Sequence, residues 1–177
     1  MATGFATIGH SNRRLDEFVG MLRDAEVDCL IDVRAFPRSN SNPAFNVERL
    51  PADLAAVRIG YRHEPAFGGR RPKQTGIAEE VNGFWRVQSF HNYADYALGE
   101  EFGASLAEIV RLGSERRLAL MCAEAVWWRC HRRIIADYLV LGGHAVEHLM
   151  APGESESARA TEGARLTPEG KVVYPAP

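Results

Sequence analysis

The sequence has no uninterrupted apolar run of about 18 residues, the length that a membrane-spanning helix needs. It also has no apolar signal-peptide core near its start, because Arg13, Arg14, Asp16 and Glu17 come first. Cysteine is scarce, with 3 residues in 177, which excludes a small disulfide-stapled scaffold. We therefore expect a cytoplasmic protein with reduced thiols and no membrane partner.

The formal net charge of −2 is too small to indicate any partner, but the charge is unevenly distributed. Residues 34–73 contain eight basic and three acidic side chains, a local excess of five positive charges. A second basic cluster consists of Arg129, Arg132 and Arg133. If both segments face one cleft, the cleft would attract an anionic ligand; the alternative is an ordinary solvated surface.

The chain is 46% apolar, which is too much for a disordered protein, and its length suits one domain with its own hydrophobic core. Short apolar runs alternate with helical patterns. The predicted strands are residues 5–8, 27–33, 57–61, 117–122 and 145–150, and the predicted helices are residues 13–26, 47–57, 91–112 and 130–141. This alternation predicts an α/β fold, a single three-layer domain with a mostly parallel, roughly five-stranded sheet.

The predicted α/β domain covers residues 3–150. Residues 151–177 are small and polar, and we expect them to form a mobile tail. Within this tail, residues 171–175 could form a short edge strand after a turn at residues 168–170.

Polar side chains concentrate after the predicted strands. In open parallel sheets, ligands bind outside the carboxyl ends of the strands, so these positions predict a shared site. The connections at the opposite edge carry ordinary solubilising and turn residues. The residues predicted to bind a ligand are Ser11, Arg34, Arg38, Ser39, Gly68, Gly69, Arg70, Trp127, Trp128, Cys130, His131 and Arg132.

Four further residues near the strand ends are predicted to act in catalysis: His10, Asp32, Cys122 and Glu124. Carboxylates whose pKa values are pushed apart suit general acid and base roles, and a histidine beside Ser11 suits proton transfer. Cys122 is a candidate nucleophile. For Asp32, the alternative is a structural pair with a neighbouring arginine.

The segment from Cys122 to Arg133 is the densest in chemically active side chains. A thiol near a helix N-terminus and guanidinium groups is favoured as the thiolate, although Cys130 could equally be a small buried residue. The spacing from Cys122 to Arg129 is one residue longer than the Cys-x5-Arg loop of phosphatases, so that motif is absent. Cys-x7-Cys-His matches no standard zinc spacing, so neither a metal nor a cofactor is predicted.

Aromatic residues also concentrate in the predicted loops. Trp127 and Trp128 are adjacent, so both cannot enter the core from one helical face. An exposed tryptophan near arginines suits stacking on a nucleobase; the alternative is that both rings seal the rim of the core.

Seven motifs occur in order along the chain: Thr7-Ile8-Gly9-His10-Ser11, Asp32-Val33-Arg34 with Pro37-x-Ser39, Phe45-Asn46, Phe67-Gly68-Gly69, Asn92-Tyr93-Ala94-Asp95-Tyr96, Cys122-Ala123-Glu124 and Cys130-His131-Arg132. Together they resemble the bacterial and archaeal family called domain of unknown function 488. The resemblance covers about residues 5–150, and Phe67 stands where leucine is common before Gly-Gly. It implies a shared site at the strand ends but carries no catalytic roles.

Three functions remain open from the sequence. The first, which we favour, is an enzyme acting on an anionic, nucleotide- or nucleic-acid-derived substrate at the strand ends. The second is a nucleic-acid-binding module without chemistry, whose binding would weaken steeply with salt. The third is a thiol redox or metal-binding protein that uses Cys122, Cys130 and His131. The sequence does not identify the substrate or the oligomeric state.

Overall fold

The computed structural model describes residues 2–177 as a three-layer α/β domain. The strands are β1 (Gly4–Gly9), β2 (Cys29–Asp32), β3 (Gly60–His63), β4 (Arg117–Cys122), β5 (Val146–Ala151), β6 (Glu154–Ser157), β7 (Arg165–Leu166) and β8 (Val172–Val173). The helices are α1 (Leu15–Asp24), α2 (Leu50–Ala55), α3 (Gln88–Tyr96), α4 (Glu100–Gly113) and α5 (Arg132–Leu141). Short 3-10 turns cover Pro43–Phe45, Pro65–Phe67, Glu79–Asn82 and Trp127–Arg129.

The central sheet has the strand order β3-β2-β4-β1-β5-β6. The first five of these strands are parallel, and only β6 runs antiparallel, beside β5. The predicted α/β class and mostly parallel sheet are therefore confirmed. The strands β2 and β4 lie inside the sheet, which explains their apolar sequences, because helices cover both of their faces.

Alternate residues of each strand enter two hydrophobic cores. On one face, Ile8, Leu30 and Met121 pack with Phe18 and other residues of α1 and α2. On the other face, residues such as Ile31, Leu120 and Cys122 pack with α3, α4 and α5. Cys122 therefore points towards the layer that contains α5.

The pattern that predicted one helix over residues 91–112 corresponds to two helices. The first, α3, ends at Tyr96, and the second, α4, begins at Glu100. Between them the backbone of Gly99 is extended, at φ −82° and ψ 171°. Glycine adopts such a junction readily, since it has no side chain to favour the helix. After the break, Phe102 of α4 packs against Phe67 and Tyr138, with ring centres 5.2 and 4.9 Å away.

Residues 151–177 pack against the domain rather than extending away from it. The strand β6 extends the sheet, while β7 and β8 form a hairpin closed by the turn at Gly170, whose φ is +81°. Tyr174 is fully buried and donates its hydroxyl to Asp137 at 2.7 Å. A few apolar side chains in a polar stretch thus anchor the segment, which composition alone does not reveal.

Within residues 2–177, no helix has both the length and the apolar character needed to cross a membrane.

Candidate functional site

The site lies between the carboxyl ends of β2 and β4. After β2 the chain crosses to α2 on one face of the sheet, and after β4 it crosses to α5 on the other face. Connections that diverge from neighbouring strands leave a crevice, which is where ligands bind in open α/β sheets. Here the crevice is a cavity of about 340 Å³, a size typical of small-molecule sites.

The cavity has a thiol-containing floor and an arginine-containing rim. Cys122, Cys130, His131 and Tyr93 are at least half-buried and form the floor. The other residues that line the cavity are Arg34, Ala35, Phe36, Arg38, Gly69, Arg70, Ser89, Phe90, Ala123, Glu124 and Arg129.

Cys130 and His131 form a hydrogen-bonded pair on the cavity floor. The Nε2–H of His131 donates to the carbonyl oxygen of Val33 at 2.7 Å, which leaves Nδ1 as the acceptor. The Sγ of Cys130 lies 3.5 Å from this Nδ1. A thiol, a base in contact with it and a group that orients the base are the parts of an activated nucleophile.

Cys130 lies just before the first turn of α5, and the backbone N–H of Arg132 donates to its Sγ at 3.5 Å. Burial raises the pKa of the Cys130 thiol. The Cys122 thiol, the Arg132 charge and this N–H together lower the pKa by more than burial raises it. The net result is a Cys130 pKa below its ordinary value. Positive charge and donors at a helix N-terminus favour a thiolate in this way.

The pKa of Cys122 moves in the opposite direction. Burial raises it well above its ordinary value, and the hydrogen bond and negative charge of Cys130 raise it further. Cys122 therefore keeps its proton, and its Sγ lies 3.6 Å from the carbonyl oxygen of Glu124. The sequence offered Cys122 as a candidate nucleophile, whereas Cys130 is the thiol whose pKa is lowered.

Two arginines on the rim are available for an anion. Arg70 and Arg129 are exposed, and among residues 2–177 neither forms an ion pair. The guanidinium of Arg70 lies 5.7 Å from the ring centre of Phe36, which is 66% exposed. Arg38 also lines the cavity, but it pairs with Glu48 at 2.6 Å.

Arg34 lines the cavity, but most of its donors are already used. It binds both carboxylate oxygens of Asp32, at 2.9 and 2.7 Å, and the carbonyl oxygen of Phe45. Asp32 is fully buried and also accepts the Tyr61 hydroxyl at 2.5 Å. The pair corresponds to the structural alternative that the sequence left open for Asp32.

His10 lies behind Arg34, outside the cavity lining. Its Nδ1–H donates to the carbonyl oxygen of Ser11 at 3.0 Å, and its Nε2 accepts from Arg34 at 3.3 Å. Burial lowers the pKa of His10, and its ring stacks on Phe45 at 4.8 Å. His10 is therefore a neutral residue that orients Arg34. Among the candidates from the sequence, Arg34, Glu124 and His131 line the cavity, whereas His10 and Asp32 support Arg34 from behind.

Glycines let the surrounding loops approach one another closely. A Cβ on Gly68 would lie 2.9 Å from the Cα of Ala35, and one on Gly9 would overlap the carbonyl group of Glu124. Arg71 braces the same region by donating to the carbonyl oxygens of Gly68 and Pro65. These contacts fix the distance between the loops after β1, β2, β3 and β4.

The remaining predicted binding residues do not line the cavity. Ser11 and Ser39 brace loops through backbone contacts, with the Ser39 N–H donating to Asn46 at 2.6 Å. Trp127 stacks on His148 at 4.7 Å, while Trp128 is 44% exposed, and neither lines the cavity. Arg132 is almost fully buried beneath the floor.

The sequence interpretation missed Tyr93, Ser89 and Phe90 as cavity residues. They come from α3, which follows no strand end, so the rule that located the other residues could not find them. Only Tyr93 carried a signal, since it belongs to one of the seven motifs. Its ring lies 5.2 Å from that of His131.

Within residues 2–177, no group of three or more His, Cys, Asp or Glu side chains is arranged to hold a metal ion.

One family model matches the chain. It is described as "Domain of unknown function DUF488" and aligns with residues 14–139, from the start of α1 into α5. The match contains the loops after β2, β3 and β4 that surround the cavity. No curated protein and no solved structure matches the chain.

Proposed function

The chain belongs to the DUF488 family, and we propose that it is an enzyme in which Cys130 attacks a small anionic substrate bound in the cavity. The observation that carries this proposal is the Cys130 Sγ, which contacts His131 Nδ1 and the Arg132 N–H at 3.5 Å each. Both Cys130 and His131 line a cavity whose rim holds two unpaired arginines.

The chemistry is nucleophilic substitution through sulfur. The Cys130 thiolate forms a bond to an electrophilic carbon or phosphorus of the substrate, and the electron pair of the broken bond leaves with the departing group. As Cys130 ionises, its proton passes through His131 Nδ1 to the solvent, and Nδ1 later delivers a proton from the solvent to the departing group. Its Nε2 donates to Val33, which holds the ring in this orientation throughout.

The side chains on the rim of the cavity indicate the class of substrate. Arg70 and Arg129 suit a phosphate or carboxylate group, which a guanidinium can bind through two parallel hydrogen bonds. Phe36, Phe90 and Tyr93 offer apolar ring surfaces in the same cavity. A nucleotide has both an anionic group and a flat ring, and a cavity of about 340 Å³ suits one small molecule rather than a polymer.

Affinity labelling tests the proposal. Iodoacetate is anionic and iodoacetamide is its neutral counterpart, and peptide mass spectrometry resolves Cys130 from Cys122 and Cys29. We expect Cys130 to be alkylated faster than the other two cysteines. The ratio of its rate with iodoacetate to its rate with iodoacetamide should be higher than the same ratio for a free thiol. Replacing Arg70 and Arg129 by glutamine should remove that preference.

Protection by ligands extends the same test. A nucleoside monophosphate should slow the alkylation of Cys130, whereas the matching nucleoside without phosphate should protect less. Equal reactivity of all three cysteines, or no preference for the anionic reagent, would count against the proposed function.

A nucleic-acid-binding module is the second candidate, because two exposed rings adjoin the rim arginines. Phe36 is 66% exposed beneath Arg70, and Trp128 is 44% exposed next to Arg129. Such a module would bind single-stranded nucleic acid with affinity that falls steeply with salt. Its affinity for nucleic acid should be unchanged by Cys130→Ser. Neither iodoacetate nor iodoacetamide should alkylate Cys130 faster than the other cysteines.

A further inference from the structure

Arg132 is a buried cation without an anionic side-chain partner. Its side chain is 1% exposed, and its guanidinium donates to the carbonyl oxygens of Glu124 at 3.0 Å and Ala125 at 3.1 Å. It also donates to the Thr7 hydroxyl at 3.2 Å, and its Nε has no partner within residues 2–177. Every acceptor that the guanidinium contacts is therefore electrically neutral.

The group beyond Thr7 is neutral as well. Because the Thr7 hydroxyl accepts from Arg132, its own proton goes to His148 Nδ1, 2.6 Å away. Burial lowers the pKa of His148 to about 4. His148 thus adds no negative charge, and any positive charge on it would oppose Arg132.

An unpaired charge inside a protein is costly, so a buried arginine normally has a carboxylate or another anion beside it. Here the group able to supply the negative charge is Cys130, whose Sγ accepts the backbone N–H of the same residue, Arg132. The carbonyl oxygen of Glu124 accepts from both Arg132 Nη2 and the Cys122 thiol, which places the guanidinium next to the thiol pair.

The other groups around Cys130 do not provide this cation. Burial lowers the pKa of His131, so a lasting imidazolium is disfavoured. The Glu124 side chain is exposed and negative, and its charge opposes a thiolate. Cys122 and Tyr93 remain protonated, because burial raises the pKa of both well above their ordinary values.

We propose that Arg132 is a positioning residue: it is the buried counter-cation that holds Cys130 as a thiolate. The inference rests on the proposed function and adds the source of the nucleophile's charge. It also explains why an arginine without a carboxylate lies below the cavity floor.

The test is the pH dependence of Cys130 alkylation by iodoacetamide in the wild type, Arg132→Met and Arg132→Lys. We expect Arg132→Met to raise the pKa of Cys130 by at least one unit, which slows alkylation about tenfold below that pKa. Arg132→Lys keeps the charge and should restore at least half of the shift. The matched control is Arg133→Met, the next residue of α5, which should leave the profile unchanged.

A second measurement does not depend on the stability of Arg132→Met. If Arg132 requires an anion beside it, Cys130→Asp should melt at a higher temperature than Cys130→Asn at pH 7. A buried site without a counter-cation prefers the neutral amide. The opposite order of melting temperatures would overturn the inference.

The outcomes separate the inference from the function on which it rests. If wild-type Cys130 titrates below the ordinary thiol value and Arg132→Met leaves that value unchanged, the role of Arg132 is overturned while the proposed enzyme stands. If the profile depends on Arg132 but Cys130 shows neither a preference for iodoacetate nor protection by nucleotides, the counter-cation stands and the proposed function falls.

Discussion

Gly69 lies directly against His131, so close that an added Cβ would lie 2.9 Å from Nδ1 and 3.2 Å from Cγ. The opposite edge of the ring is fixed by the hydrogen bond from Nε2 to Val33. Gly69→Ala should therefore displace the imidazole from Cys130 and slow the alkylation of Cys130 severalfold.

Gly20→Ala is the control for this change, because no atom lies within 4 Å of the position a Cβ would occupy. Gly20 is inside α1, so this substitution should stabilise the protein by about 0.5–1 kcal/mol and leave the thiol unaffected. Unchanged reactivity in Gly69→Ala would mean that the Cys130–His131 contact has no role in reactivity.

The buried pair of Asp32 and Arg34 should be essential for stability. Asp32→Ala leaves the Arg34 cation buried and unpaired, which typically costs about 3–5 kcal/mol. Urea denaturation measures the loss. The exposed pair of Asp16 and Arg14 is the comparison, and Asp16→Ala should cost less than about 1 kcal/mol. Similar losses in the two variants would contradict the structural role of Asp32.

The lowered pKa of Cys130 should make stability depend on pH. The folded state holds the thiolate at a pH where the unfolded thiol, with a pKa of about 8.5, is still protonated. Relative to Cys130→Ser, the wild type should therefore gain stability as the pH rises from the folded-state pKa to about 8.5, and stay level above it. Denaturation curves at a series of pH values measure this difference, and a constant difference would show that Cys130 has the same pKa in both states.

His148 should destabilise the protein in acid. Its folded-state pKa of about 4 lies below the ordinary 6.5, so between these values only the unfolded state gains the proton. One pKa unit corresponds to 1.36 kcal/mol, which predicts a loss of about 3 kcal/mol on acidification through this window. His148→Gln lacks the titrating group and should show a correspondingly weaker loss. If the wild type and His148→Gln lose stability equally on acidification, a group other than His148 is responsible for the loss.

The C-terminal segment should contribute directly to folding. Tyr174 is fully buried against Trp85 and Phe84, with ring centres 5.0 and 6.5 Å away. Tyr174→Ala should cost about 3–5 kcal/mol, the range for removing a large buried aromatic side chain. Leu166 is the control, because it is 49% exposed and Leu166→Ala should change stability by less than about 0.5 kcal/mol. A chain that ends at residue 150 should have a lower melting temperature than the full chain. An unchanged melting temperature would instead support the expectation that residues 151–177 form a mobile tail.

The sequence by itself determined the fold class and the edge of the sheet where the polar residues lie. Apolar runs such as those of β2 and β4 are local patterns, and burial on both faces is the physical reason for them. The seven motifs were likewise sufficient for the family, which the match over residues 14–139 confirms.

Only the tertiary structure decided which polar residues serve the cavity and which support it. Asp32 and Cys122 are both the last residues of apolar strands, yet Asp32 is bound by Arg34 and Tyr61, whereas Cys122 is a thiol whose burial keeps it protonated. The lowered pKa of Cys130 depends on groups from β4 and α5, and its neighbour His131 is oriented by the carbonyl oxygen of Val33 after β2. Burial and through-space charge set these properties, and neither is a local property of the chain.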